Sequence, residues 1–277
     1  MAYIEVLFSL PSNSNQQEML AALLAECGFE SFMEDETSFR AYCPEGSFSA
    51  LEVEEIIDKA EFQEIKLLKK TLIPDENWNA NWESSYEDVV IDGVCRIRAP
   101  FHQADQSIKY DLLIEPRMSF GTAHHETTAQ MISLMLKLDF YKKTVLDMGC
   151  GTAVLAVLAS KMAAKKVVAI DNDQWAYENA LDNVEVNKCE AVEVIKGDAT
   201  AIGNQKFDDV LANINRNILL ADMPTYIDAM LPGANLLISG FYQEDLKDLK
   251  YLAEKSGLVF ETHITKNNWV AAQFTKA

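Results

Sequence analysis

A chain of 277 residues, 49% hydrophobic and 24% charged, has the length for one large domain or two ordinary ones and ample material for a core. Its 43 acidic residues against 24 basic ones give a net charge of −19, which argues against wrapping a phosphate backbone or lying on an anionic membrane, since both need clustered Lys and Arg. The five cysteines include no Cys-x-x-Cys pair, and the N-terminus has no basic segment followed by an apolar core. Free thiols, no zinc site, no signal peptide and a cytoplasmic location are therefore expected.

In chain order, residues 1–70 predict a small α+β unit. Tyr3–Leu10 alternates like a strand, and Gln16–Cys27 carries apolar residues at helical spacing before Gly28. Ser38–Cys43 reads as a strand, Ser49–Ala60 as a helix and Phe62–Leu68 as a strand. This order suggests a ferredoxin-like sandwich. The stretch holds 14 acidic and 5 basic residues, a net −9 that would suit a basic partner. Residues 71–86 are polar and turn-prone, with Trp78 and Trp82, and read as a linker.

From residue 87 the pattern becomes that of an α/β domain. Val89–Ala99 and Ile108–Ile114 predict strands, and Thr127–Leu138 a helix. Strands at 144–148, 166–170, 192–195, 208–212 and 234–239 then alternate with helices at 153–162, 175–187, 217–230 and 244–255, and strands near 258–263 and 268–274 close the chain. Such alternation builds a parallel sheet covered on both faces, with ligands at the carboxyl ends of its strands.

The chemistry should therefore lie just after strands. After Met148 come Gly149, Cys150 and Gly151, and then a helix. Two such glycines let a ligand approach the backbone and the free amides of the helix start. A dinucleotide site would have a third glycine where Val154 stands; that gap, and Asp147, favour S-adenosylmethionine instead. Asp171 ends the next strand, 22 residues after Gly149, where a ribose diol would be held, although a turn residue is also compatible with this position. Asp198 ends the third strand and could accept from an adenine amine, or simply shape a Gly-Asp turn.

The order of these segments resembles a class I, Rossmann-like, seven-stranded methyltransferase. Pro116, Phe120, Gly121, Thr122, His125, Thr127 and Thr128 match the Pro-Gly-x-Ala-Phe-Gly-Thr-Gly-x-His-x-Thr-Thr signature of PrmA-type enzymes; Ala212-Asn213-Ile214 and Ser239-Gly240 match two further segments. The resemblance covers about residues 71–277. Arg117, Ala123 and Ala153 stand where that family has glycine, and Glu126 where proline is common. The resemblance implies S-adenosylmethionine as cofactor, trimethylation of large-subunit ribosomal protein eleven as activity, and a cofactor contact at Thr128.

On physical grounds Thr127 and Thr128 could cap the helix or bond the cofactor's methionine end, and Phe120 could pack on its apolar parts. His124, His125 and Glu126 lack the spacing of a metal helix, so no metal is expected. Asn213 is the candidate catalytic residue: its amide oxygen can accept from a neutral amine, although it could instead cap a turn. Asn215 and Arg216 could line the acceptor mouth, with Arg216 repelling a basic substrate or serving structure alone. The expected protein is a monomeric N-methyltransferase acting on amines of a basic ribosomal protein, with residues 1–70 recruiting it, 71–86 as linker and 87–277 as the catalytic domain, and no contact with nucleic acid or membrane. The alternatives are a methyltransferase for another amine, or a non-catalytic cofactor-binding regulator.

Overall fold

The computed structural model describes residues 2–9, 14–35, 38–62, 64–73, 86–117, 121 and 123–277. The chain divides into two compact units, Met1–Ser85 and Tyr86–Ala277. Among the described residues no helix is long and apolar enough to cross a membrane.

In the first unit, β1 (Tyr3–Ser9), β2 (Ser31–Glu34), β3 (Ser38–Pro44) and β4 (Leu67–Ile73) form a sheet of order β2-β3-β1-β4, every neighbouring pair antiparallel. Helices α1 (Ser14–Glu26) and α2 (Ala50–Ile57) contribute Leu20, Leu24, Val53 and Ile56 to a core shared with Ile4, Val6 and Phe8 of β1. Two expectations need correction. β2 is a strand where none was expected, because four residues with no fully buried side chain carry no alternation. The last strand is not at Phe62–Leu68 but at β4, so the unit runs past residue 70. Phe62 and Ile65 instead plug the core from a short 3-10 turn and its exit. The pair Lys69-Lys70 ends the apolar run in the sequence, yet an edge strand tolerates it. Trp78 and Trp82 lie outside the described residues.

In the second unit, β8 (Thr144–Met148), β9 (Lys166–Asp171), β10 (Val192–Lys196), β11 (Phe207–Asn213), β12 (Met230–Tyr242), β13 (Leu258–Lys266) and β14 (Trp269–Lys276) form a sheet of order β10-β9-β8-β11-β12-β14-β13. Neighbours are parallel from β10 to β12, and β14 is antiparallel to both its neighbours. Its central strands β8, β9 and β11 are mostly apolar and buried on both faces, whereas the edge strand β13 is largely exposed. One face packs on α3 (Glu126–Met135), α4 (Val154–Lys161) and α5 (Gln174–Val186), the other on α6 (Arg216–Ala229) and α7 (Leu246–Lys255). A small sheet of β5 (Val89–Ile91), β6 (Cys95–Arg98) and β7 (Tyr110–Leu113) joins the first face. The single strand expected over Val89–Ala99 is a hairpin, broken where Asp92 and Gly93 both take left-handed conformations, φ 52° and 67°. Asp-Gly favours such a two-residue turn.

Buried asparagines of α5 fasten the segment after β7. Asn187 Oδ1 accepts from the Leu113 amide at 3.0 Å, and Asn183 Oδ1 from the Glu115 amide at 2.9 Å. Asn183 Nδ2 also donates to Thr152 O at 3.0 Å, tying this segment to the loop after β8.

Asp147, buried within β8, accepts from the Ala156 amide at 3.0 Å and so caps α4 from the side. Burial, and then the charge of Asp171, push its carboxyl up to about 7. The folded state thus binds this proton more tightly than the unfolded chain, and the associated stability is present below the unfolded value and lost as pH rises toward 7. Asp147→Asn keeps an acceptor for Ala156 but cannot ionise. Urea unfolding should show the variant gaining stability over the parent by on the order of 2 kcal/mol between pH 5 and pH 8; a pH-independent difference would contradict this.

Candidate active site

The loop after β8 turns under tight constraint. Gly149 and Cys150 both donate their amides to Ile170 O, at 2.8 and 3.1 Å. Gly149 has φ +68°, and a Cβ there would fall 2.1 Å from Ile214 Cγ2, so any larger residue would be strained and would force Ile214 to move. Gly151 donates its amide to Asp171 Oδ2 at 2.9 Å, and Thr152 Oγ1 donates to Gly121 O at 2.8 Å. Ala153 and Ala123 have φ 60° and 65°, the left-handed region that glycine adopts without strain. The backbone at these two positions keeps a glycine conformation although alanine occupies it.

Above this loop lies a cavity of about 530 Å³ that crosses the strand ends. Along its wall come Asp198 after β10, Asp171 at the end of β9, Gly149 and Gly151 after β8, Asn213 at the end of β11, Gly240 of β12 and Trp269 at the start of β14. His125 and Thr127 close it from α3. Asp171, Asp173, Asp198 and Asp222 are on the wall, and among the described residues no Lys or Arg is.

The carboxylates at the β9 and β10 ends have partly committed oxygens. Asp171 accepts from Gly151 through one oxygen and from the Asp173 amide, at 3.0 Å, through the other, which leaves one lone-pair direction on each. Asp198 Oδ1 accepts from both the hydroxyl and the amide of Thr200, at 2.6 and 2.9 Å. Those two bonds, the hydroxyl's first, hold its carboxyl below the usual range. Asp198 therefore shapes a turn and faces the cavity at once.

Asn213 Nδ2 donates to Thr128 Oγ1 at 3.2 Å, while Asn213 Oδ1 is buried and has no hydrogen-bond partner. Such an orphaned acceptor is uncommon and costs on the order of 1–3 kcal/mol when nothing else meets it. Thr128 itself is 1% exposed and absent from the cavity wall, so its hydroxyl reaches the site through Asn213. Neither threonine caps α3. The cap is His125, whose Nδ1 accepts from the Thr127 amide at 3.3 Å. His124 Nε2 meets Glu87 O at 2.9 Å. Asn215 caps α6 through Ile218 and also lines the cavity. Arg216 pairs with Asp245 and Asp248, at 2.8 and 2.7 Å, so its charge links α6 to the start of α7 and is not left to repel a basic substrate. Phe120 lies outside the described residues. Trp269 and Asp222 were not foreseen: each stands alone in the sequence, and only the fold brings them to the cavity that Gly240, matched in the sequence with Ser239, also lines.

The description "Ribosomal protein L11 methyltransferase (PrmA)" matches residues 7–277. The chain belongs to the PrmA family. It is 41% identical to a ribosomal protein L11 methyltransferase of Phocaeicola vulgatus, over 99% of each chain, and 39% identical to one of Bacteroides thetaiotaomicron, over 99% of this chain and 100% of the other. The fold matches the crystal structure of the ribosomal protein L11 methylase of Lactobacillus delbrueckii subsp. bulgaricus, with a TM-score of 0.64 at 22% identity, over 69% of this chain and 100% of that one. As a PrmA-family member the chain is an S-adenosylmethionine-dependent protein methyltransferase. Its cavity fits that cofactor in its charge: the carboxylate wall suits a sulfonium cation better than an anionic pyrophosphate.

If Asp171 holds the ribose, Asp171→Ala should weaken S-adenosylhomocysteine binding by ~1.5–3 kcal/mol in calorimetry. A ligand lacking both ribose hydroxyls should bind parent and variant alike. Undiminished affinity for the full ligand in a folded variant would remove Asp171 from the site.

Proposed function

We propose that the protein transfers methyl groups from S-adenosylmethionine to amines, lysine side chains or an N-terminal amine, of ribosomal protein L11. The observation that carries this reading is that Asn213, whose buried Oδ1 has no hydrogen-bond partner, is a residue of the cavity wall. The family match favours neither alternative raised by the sequence, a different amine or a non-catalytic regulator.

In this reading Asp171 accepts from the ribose diol with its remaining lone pairs, Asp198 accepts from the adenine amine, and the loop of Gly149 and Gly151 lies beneath the cofactor. Bound there, the cofactor supplies a sulfonium methyl group. Asn213 Oδ1 accepts an N–H of the incoming amine and aims its lone pair at that carbon. Thr128, holding Nδ2, keeps the amide from rotating, so it is a positioning residue. A free lysine amine titrates near ~10.4 and must lose its proton before attack. The neighbouring positive charge and desolvation both favour the neutral form, so no strong base is required. The rate gain comes chiefly from placing the nucleophile in line.

The first unit is read as a ferredoxin-like domain that recruits the substrate. Its strand order β2-β3-β1-β4 with antiparallel neighbours supports the fold, and its net −9 over residues 1–70 supports a basic partner. The protein would act as a cytoplasmic monomer, with residues 74–85 connecting recruiter and catalyst.

The direct test is mass spectrometry of L11 incubated with the protein and labelled S-adenosylmethionine; an unmodified L11 would refute the assignment. Asn213→Ala should bind S-adenosylhomocysteine within a few-fold of the parent yet transfer ~10²-fold or more slowly, and Thr128→Val should lose less, by ~10-fold. In parent and variants alike the rate should rise with pH as the amine deprotonates. A parental single-turnover rate in Asn213→Ala would refute its role.

Recruitment by charge has its own signature. Glu54 and Glu55 of α2 are exposed. Replacing both by Gln should lower kcat/KM for L11 by ~3–10-fold at low salt and flatten its decline with ionic strength, at unchanged cofactor affinity. Identical salt profiles would show that these charges do not recruit.

A further inference from the structure

Trp269 stands at the far end of the cavity from the two carboxylates. The strand order puts β9 and β10, with Asp171 and Asp198, on one side of β8, and β11, β12 and β14, with Asn213, Gly240 and Trp269, on the other. If the ribose and adenine occupy the first side, the acceptor enters on the second. Trp269 is half-buried there and firmly held. Gln130 of α3 donates to its carbonyl at 2.9 Å, and Asn267 in the adjacent turn donates to Glu126 at 2.7 Å. Its indole packs edge-on with His125, ring centroids 4.8 Å apart, and against Tyr242 at 4.2 Å. An aromatic ring fixed in this way on the wall of a cavity that has no Lys or Arg among its described residues is a surface for a cation or for N-methyl groups.

The chemistry of repeated transfer gives such a surface a task that Asn213 cannot perform. A neutral primary amine has two N–H bonds, a secondary amine one and a tertiary amine none. In each transfer the amine lone pair forms an N–C bond while the C–S bond breaks and its electron pair stays on sulfur. The resulting ammonium then loses a proton to water, until the third transfer leaves a quaternary nitrogen with no proton to lose. Asn213 Oδ1 can therefore orient the first two acceptors but has nothing to accept from the third. We infer that Trp269, flanked by His125, is the acceptor wall of the site: it holds the partly methylated amine by its methyl groups, meets the positive charge that develops on nitrogen, and so lets transfer proceed past the second methyl. This inference rests on the amine-methyltransferase reading above.

The experiment compares the full-length parent with Trp269→Phe, which keeps a ring, and Trp269→Leu, which keeps apolar bulk without one. L11 is followed by intact-mass spectrometry, and tetramethylammonium is titrated into each S-adenosylhomocysteine-loaded protein, with its neutral tert-butyl counterpart 3,3-dimethylbutanol as control. We expect the parent and Trp269→Phe to add three methyl groups to one amine and to bind tetramethylammonium in preference to the neutral compound. Trp269→Leu should bind S-adenosylhomocysteine as the parent does, lose the preference, and show the ratio of third to first transfer rates lowered about tenfold, with mono- and dimethyl products accumulating. An unchanged product distribution in Trp269→Leu, or a parent that stops at two methyl groups, overturns the acceptor wall and leaves the functional reading standing. A parent that binds tetramethylammonium through Trp269 but adds no methyl group to L11 overturns the functional reading and leaves the wall standing.

Discussion

Ile214 is wedged between two glycines, and the geometry of the site follows from that contact. A Cβ on Gly149 would meet its Cγ2 at 2.1 Å, and a Cβ on Gly240 would meet its carbonyl oxygen at 2.2 Å. Three strand ends, those of β8, β11 and β12, therefore approach more closely than side chains permit. The Ile214 amide donates to Ser239 O at 3.1 Å, which extends the parallel pairing of Asn213 with Ser239 by one bond. Asn213 is thus the last residue of β11 with a fixed direction, and Thr128 holds the amide at its tip.

Charge then decides what such a cavity accepts. Among the described residues four carboxylates face it and no Lys or Arg does, in a chain of net charge −19. A sulfonium lowers its energy in this field; a pyrophosphate would raise it. In the proposed reading Asp171 couples binding to structure, because the carboxylate that would take the ribose also holds the Gly151 amide in place. Asp147, one strand over and out of contact with the cavity, meets the opposite environment: buried and capping α4, it is pushed toward its neutral form. Two aspartates near one loop thus serve different ends because one is partly solvated and the other is not.

Much of this was legible in the sequence. The strands of the large sheet announced themselves as apolar runs, most of them alternating with helices, and Gly149, Gly151, Asp171, Asp198 and Asn213 were singled out because ligands sit past the strand ends in such sheets. All five line one cavity. What escaped was set by pairing and not by local pattern. Trp269 opens the last strand with no partner at any telling spacing, and it reaches the site only because β14 inserts antiparallel beside β12. Ordinary capping rules pointed to Thr127 and Thr128, whereas His125 took the cap and released Thr128 to hold Asn213. Some signals were present but unread: Asp92-Gly93 marked a hairpin, and Asn179, Asn183 and Asn187, four residues apart on one helix, marked a buried polar seam. β4 was displaced because lysines end an apolar pattern in sequence but not a strand at a sheet edge.

The central claim is that the cofactor lies across the strand ends with its nucleoside at β9 and β10 and its sulfur beside Asn213. A crystal structure of the full chain with S-adenosylhomocysteine tests it most directly. The predicted result places both ribose hydroxyls on Asp171, the adenine amine within reach of Asp198, and the sulfur on the Asn213 side, with the space between Asn213 and Trp269 open for an amine. A nucleoside bound against Trp269, or a ligand that leaves Asp171 without contact, would contradict it.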